Sequence, residues 1–195
     1  MKKLSGKLNK YSIAVFISGK GSNLKSITKN SLKKKASYKV KLVLSNNKKA
    51  KGILYAKKQN IKNYTFDFTK SKKLGIKVLK ILKRNNIKLV CLAGFMKILP
   101  EYFIKLFNGK IINIHPSLLP KYKGLNTHKR VINNNEKYTG CTVHYVNKSL
   151  DAGKIILQKK VRITKKDTIR SIKKKVIKIE HEIYPLAIEK VLINP

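Results

Sequence analysis

Acidic side chains are nearly missing from this sequence. Only 8 of its 195 residues are Asp or Glu, against 47 Lys and Arg, which gives a formal charge of +39. Tryptophan is absent, and there are 2 cysteines and 5 prolines. Cys91 and Cys141 have no CxxC spacing. They suggest neither a disulfide framework nor a cysteine-held metal, and a reducing compartment is the default. No apolar run approaches the ~20 residues that span a bilayer. Met1–Lys10 has the basic character of a signal-peptide start, but the apolar stretch Ile13–Ile17 is shorter than the roughly 7–15 residues of an export core. The expectation is a cytoplasmic protein with neither export nor a membrane span. Hydrophobic residues make up 42% of the chain, enough for one buried core and too much for a disordered basic tail.

Arginine is the second scarcity. The basic residues are 43 Lys and 4 Arg. A nucleic-acid surface draws on Arg for bidentate contacts to guanine and phosphate. The 43 Lys, 24 Ile and 17 Asn, 84 residues together, can all be encoded by A/T-only codons. Compositional drift explains the charge without a binding site, and the lysines are spread over many segments as solvated faces would be. No specific nucleic-acid partner is expected.

Neither an internal repeat nor a Pro/Gly/Ser-rich linker divides the chain. The pattern implies a single domain over 1–195, with 1–10 a flexible basic N-terminus. A continuous apolar run predicts a strand buried on both faces at Ile13–Ile17, and Leu89–Ala93 reads as another buried strand; further strands are predicted at Val40–Leu44 and Ile111–Ile114, with a short one at Tyr64–Phe66. Helices are predicted at Ser22–Lys29 (Ser22 as its cap), Ala50–Gln59, Lys70–Asn85 and Pro100–Phe107. Strands at Thr139–Val146 and Ile155–Ile163 precede a helix over Thr168–Leu192, kinked at Pro185. The alternation implies an α/β fold: a Rossmann-like, mostly parallel, twisted sheet flanked by helices. Ligands in such sheets lie beyond the carboxyl ends of the strands, where strand order reverses. That directs attention to Ser18–Asn23, Gly94–Ile98 and His115–Lys123.

Ser18-Gly19-Lys20-Gly21-Ser22-Asn23 follows the first strand and enters a helix. Its glycines and the helix N-terminus suit one phosphate, though glycines in a tight turn explain it as well. It is neither GxGxxG nor a Walker loop, and Ser45-Asn46-Asn47 stands where a dinucleotide site wants an acid. In Ile111–Pro120, Asn113 and His115 are two apart on a strand and share a face. An amide and an imidazole at the sheet's mouth are either a catalytic pair or a hydrogen-bonded pair packing the strand end. Asp151, in the turn Ser149–Gly153, is the sole carboxylate between Glu136 and Asp167. It either shapes an Asx turn or sits beside His115, raising the imidazole's pKa and orienting it.

These segments resemble the folate-dependent phosphoribosylglycinamide formyltransferases over nearly the whole length. The likeness rests on Ile17–Leu24, Leu92-Ala93-Gly94-Phe95-Met96, Asn113–Pro120, Leu150-Asp151-Ala152-Gly153 and Glu180-His181-Glu182-Ile183-Tyr184-Pro185. The middle motifs belong to the wider formyltransferase superfamily. The glycine loop and the C-terminal motif belong more narrowly to the glycinamide ribonucleotide enzymes. The resemblance implies transfer of a formyl group from the co-substrate 10-formyltetrahydrofolate to the amine of glycinamide ribonucleotide, in purine biosynthesis. Asn113, His115 and Asp151 match the catalytic residues, with a protonated His115 and the Asn113 amide stabilising an oxyanion. Gly19, Lys20, Gly21, Ser22, Asn23 and Glu180 match the ribonucleotide site. Leu92, Phe95, Met96, Lys97, Ile98, Leu99, Val146 and Leu150 match the folate site. No metal is implied, nor a membrane partner, and a monomer or weak homodimer is expected.

Departures from the family pattern are local. Lys97 stands where Arg is usual, Asn126 where His is common, and Lys20 at a variable loop position. A basic phosphate contact falls somewhere in Lys70-Ser71-Lys72-Lys73. Thr142 and His144 are expected to share a strand face toward His115, His144 either supporting the site or packing as a core histidine. His128, His181, Cys91 and Cys141 read as structural. The superfamily's tRNA and hydrolase branches carry a further domain, which is not expected here. So large an excess of like charge repels itself. The thermal midpoint, followed by circular dichroism, is therefore expected to rise as salt is added.

Overall fold

The computed structural model describes residues 10–193. In chain order the elements are β1 (Tyr11–Ile17), α1 (Ser22–Ser31), β2 (Tyr38–Ser45), α2 (Lys51–Lys58), β3 (Lys62–Thr65), a 3-10 turn (Phe68–Lys70), α3 (Lys72–Arg84), β4 (Leu89–Leu92), α4 (Glu101–Leu106), β5 (Lys110–His115), α5 (Thr127–Asn133), β6 (Tyr138–Tyr145), β7 (Ile155–Arg162) and α6 (Ile169–Ile193). One seven-stranded sheet runs β3-β2-β1-β4-β5-β6-β7. Its first five strands are parallel, and β6 is antiparallel to both neighbours. The expected α/β fold is what the chain adopts.

The uninterrupted apolar runs have their cause in this architecture. In β1, Ile13, Val15 and Ile17 pack on one face with Ile179, Ile183 and Ile188 of α6. Ala14 and Phe16 pack on the other with Phe68, Val78 and Phe103. Both faces are dry, so polar residues cannot alternate with apolar ones. Each fully buried Ile, Leu or Phe contributes about 1.5–3 kcal/mol. Cys91 and Cys141 lie inside this core, as expected. Burial pushes both thiols far above the usual range, so they stay protonated.

Several local expectations are corrected. α5 had no strong signal: it is seven residues long and buries only Thr127 and Val131. α6 runs through Pro185 as one element over Ile169–Ile193, within a residue of the expected Thr168–Leu192. Proline removes the N–H that would bond the carbonyl four residues back, that of His181. The Ser26 hydroxyl of α1 donates to that carbonyl instead, at 2.6 Å. The Tyr184 hydroxyl, buried one position earlier, lies 2.9 Å from the Leu92 carbonyl and 3.2 Å from that of Ile112. A flexible tail over 1–10 lies outside the described residues except for Lys10. That residue is tied down, its ammonium donating to the carbonyls of Ser31 and Lys33.

Among the described residues, four acids pair with lysines: Glu101, Glu136, Asp167 and Glu182. Most lysines therefore have no carboxylate partner, in keeping with solvated faces. Ser26→Ala leaves the His181 carbonyl without its donor. It is expected to lower unfolding free energy by about 1–2 kcal/mol in urea titrations.

Candidate active site

Strand order reverses between β1 and β4, and the loops after these strands meet there. Ser18 holds them together. Its N–H donates to the Gly94 carbonyl at 3.1 Å. Its hydroxyl donates to Asn46 Oδ1 at 2.5 Å and accepts from the Met96 N–H at 2.7 Å. Asn47 in turn donates to the Ser18 carbonyl at 3.1 Å. Beside this knot lies an open cavity of about 600 Å³ lined by Ser18, Asn46, Asn47, Lys48, Lys49, Asp67, Met96 and Lys97. Asn46 and Asn47, noted in the sequence only for not being acidic, are thus structural members of the site.

The glycine loop needs its glycine for two reasons. Gly21 has φ 74°, and a Cβ there would come within 2.9 Å of the Gly52 Cα. Gly52 also donates its N–H to the Gly19 carbonyl, so the loop rests on the start of α2. Gly21 occupies the cap position of α1 and no side chain caps it, which corrects the expected role for Ser22. Asn23 is buried, and its amide donates to Glu180 Oε2 at 2.8 Å, joining the loop to α6. Burial pushes the Glu180 carboxyl up, against the lowering effect of that hydrogen bond. Asn23 Oδ1 has no partner among the described residues. Gly19 and Lys20 are exposed at the loop's rim.

The second cluster is built on β5 and β6. Register pairs Asn113 with His144 and His115 with Thr142, so all four side chains share one face. Asp151 comes to them from the turn between β6 and β7, with φ 47°, a conformation Asp tolerates. Its Oδ2 lies 3.3 Å from His115 Nδ1 and accepts the Gly124 N–H at 2.9 Å. Its Oδ1 lies 3.6 Å from His144 Nε2. His115, His144 and Asp151 are all buried. His115 Nε2 donates to the Tyr122 carbonyl at 2.8 Å, so Nε2 carries the proton of the neutral ring and Nδ1 is the nitrogen that titrates.

Burial sets the charge of this cluster at rest. It pulls the His115 pKa down, aided by His144 and Arg130, and outweighs the opposing pull of the Tyr122 carbonyl and Asp151. The expectation of a raised pKa and a charged His115 is therefore corrected: desolvation wins over the single carboxylate. Burial pushes the Asp151 carboxyl up, but the Gly124 N–H and the two adjacent imidazoles outweigh it and bring it below its ordinary value. Asp151 is ionised beside a neutral His115.

The remaining expected residues divide by burial. Thr142 shares the face but is committed to the loop after β5. Its hydroxyl donates to the Ser117 carbonyl at 2.7 Å and accepts the Leu119 N–H at 3.1 Å. Leu92, Phe95 and Leu99 are buried in the core, and Val146 packs against it. Met96, Lys97, Ile98 and Leu150 are exposed. The strip thus has a packed floor and an open upper surface. Asn126 takes φ 57° at the start of α5, a conformation open to Asn. Lys72 and Lys73 line a groove of about 620 Å³ on α3 with Lys77 and Lys80. His128 Nδ1 and His181 Nε2 are buried without partners among the described residues, and burial lowers both imidazoles' pKa. Among the described residues no cluster of three or more His, Cys, Asp or Glu is arranged to hold a metal, and no helix is long and apolar enough to cross a membrane.

Known proteins resemble this chain in sequence and fold. The phosphoribosylglycinamide formyltransferase of Haemophilus influenzae is 41% identical over 180 residues, 91% of this chain and 85% of that protein. The trifunctional purine biosynthetic protein adenosine-3 of Gallus gallus is 40% identical over 192 residues, 95% of this chain. The chain spans only 19% of that longer relative. The crystal structure of phosphoribosylglycinamide formyltransferase from Anaplasma phagocytophilum superimposes with a TM-score of 0.85 at 40% identity, covering 91% of this chain and 84% of that one. The formyl transferase family model matches residues 11–188, and with the fold and near full-length relatives in agreement, the chain belongs to that family.

Proposed function

We propose that the protein transfers the formyl group of 10-formyltetrahydrofolate to the amine of glycinamide ribonucleotide, giving formylglycinamide ribonucleotide and tetrahydrofolate. The observation that carries this reading is the buried Asp151 carboxylate, 3.3 Å from His115 Nδ1 on the strand face that also bears Asn113. Such a cluster holds and moves one proton while an amide donor meets a developing oxyanion.

Asn113, His115 and Asp151 are the catalytic residues in this scheme. The substrate amine attacks the formyl carbon, a C–N bond forms and the carbonyl electrons move onto oxygen. The Asn113 N–H donates to that oxyanion. The attacking amine gives its proton to the Nδ1 lone pair of neutral His115, whose Nε2–H remains on the Tyr122 carbonyl. Asp151 then faces an imidazolium and stabilises it. The proton passes to the folate nitrogen as its bond to the formyl carbon breaks and the carbonyl re-forms. The His115 charge is thus acquired during the reaction rather than held beforehand.

The glycine loop with Asn23 and Glu180 receives the ribonucleotide. Backbone N–H groups at the start of α1 suit its phosphate. The unpartnered Asn23 Oδ1 and the Glu180 carboxylate offer acceptors to its hydroxyls. The folate ring lies against Phe95, Met96, Ile98, Val146 and Leu150, with Lys97 near its tail carboxylates as a point charge.

Purified protein supplied with 10-formyl folate and either glycinamide ribonucleotide, tRNA or water tests the reaction. Transfer to the ribonucleotide is expected, and transfer to tRNA alone would overturn the reading. Asp151→Asn is expected to lower kcat by about 10²–10⁴-fold with KM little changed. The base form of His115 is required, so kcat/KM falls as pH drops through its pKa, which burial holds below the ordinary imidazole value of about 6.5. Asp151 opposes that lowering, so in Asp151→Asn the acid limb moves to still lower pH. A limb that moves upward contradicts the assigned charge coupling.

A further inference from the structure

His144 makes three contacts, and together they fix what Asn113 can present. His144 Nδ1 lies 2.8 Å from the Tyr145 carbonyl, which can only accept. Nδ1 therefore carries the ring proton. In the neutral ring Nε2 is then a lone pair, and it lies 3.3 Å from Asn113 Nδ2. The Asp151 Oδ1, at 3.6 Å, is too far for a direct bond and could not donate to that lone pair. His144 is 2% exposed, so bulk water does not compete for these contacts. If the Asn113 amide were turned end for end, its oxygen would face the Nε2 lone pair and both acceptors would go unsatisfied.

We propose that His144 is a positioning residue that locks the Asn113 amide in one orientation, with its NH2 group toward β6. The Tyr145 carbonyl sets the His144 tautomer, the tautomer sets the amide, and the amide's second N–H is left as the donor for the formyl oxygen. Without the lock, the amide turns freely and offers its carbonyl oxygen to a developing oxyanion about as readily as its N–H. The role in formyl transfer rests on the function proposed above, but the tautomer does not.

Two measurements test it. In ¹⁵N NMR of the intact protein at neutral pH, His144 is expected to show a protonated Nδ1 and an unprotonated Nε2. The opposite tautomer, or a doubly protonated ring, overturns the lock whatever the enzyme's substrate. In steady-state kinetics, His144→Leu is expected to lower kcat about tenfold to a hundredfold with both KM values little changed. His144→Gln, which keeps an acceptor, restores most of that loss. In an Asn113→Ala background, His144→Leu should cost almost nothing further, because the residue acts only through the amide. An equal loss in both backgrounds assigns His144 to packing or to Asp151 and overturns the proposal. Absence of formyl transfer by the wild type, with the expected tautomer present, removes the proposed function and leaves the geometric lock standing.

Discussion

A single buried carboxylate organises the polar end of this molecule. Asp151 faces two imidazoles and accepts a backbone N–H from Gly124. A charge taken out of water is costly unless it is hydrogen-bonded, and the Gly124 N–H supplies that bond. Satisfying Asp151 brings together three regions distant in sequence: the β6–β7 turn, the strand pair carrying Asn113, His115 and His144, and the loop carrying Tyr122 and Gly124. The Tyr122 carbonyl then fixes one imidazole and the Tyr145 carbonyl the other. Backbone carbonyls, which cannot change their hydrogen-bonding sense, thus determine where every proton in the cluster sits.

The rest of the sheet is the frame that makes this possible. Parallel strands buried on both faces leave polar side chains nowhere to go but the carboxyl edge. At that edge Ser18 binds the β1, β2 and β4 loops into one unit. The amide of Asn23 reaches across to Glu180 on α6, and the Tyr184 hydroxyl from the same helix reaches the carbonyls of Leu92 at the end of β4 and Ile112 within β5. The C-terminal helix therefore supports both clusters. Ser26 lets it do so despite Pro185, by replacing the missing backbone donor.

Much of this was legible before any fold was known. The strands over Ile13–Ile17 and Leu89–Ala93 follow from composition, because a strand buried on both sides has no other way to be written. The pairing of Asn113 with His115 follows from the two-residue repeat of a strand. α5 was not legible, since a short helix burying two side chains leaves no period to read. The charge of His115 was not legible either, since the sequence displays the neighbouring carboxylate but not the depth of burial that outweighs it.

The sequence by itself determined which chemistry-bearing residues exist and on which strand face they fall, since periodicity and motif spacing are local properties of the chain. It also established the scarcity of acids that makes Asp151 conspicuous, and the Lys-for-Arg bias that argues against a nucleic-acid surface. Tertiary structure decided which groups meet and in what protonation state. Those depend on desolvation and on partners such as the Tyr122 and Tyr145 carbonyls, which every residue possesses and which therefore carry no sequence signal.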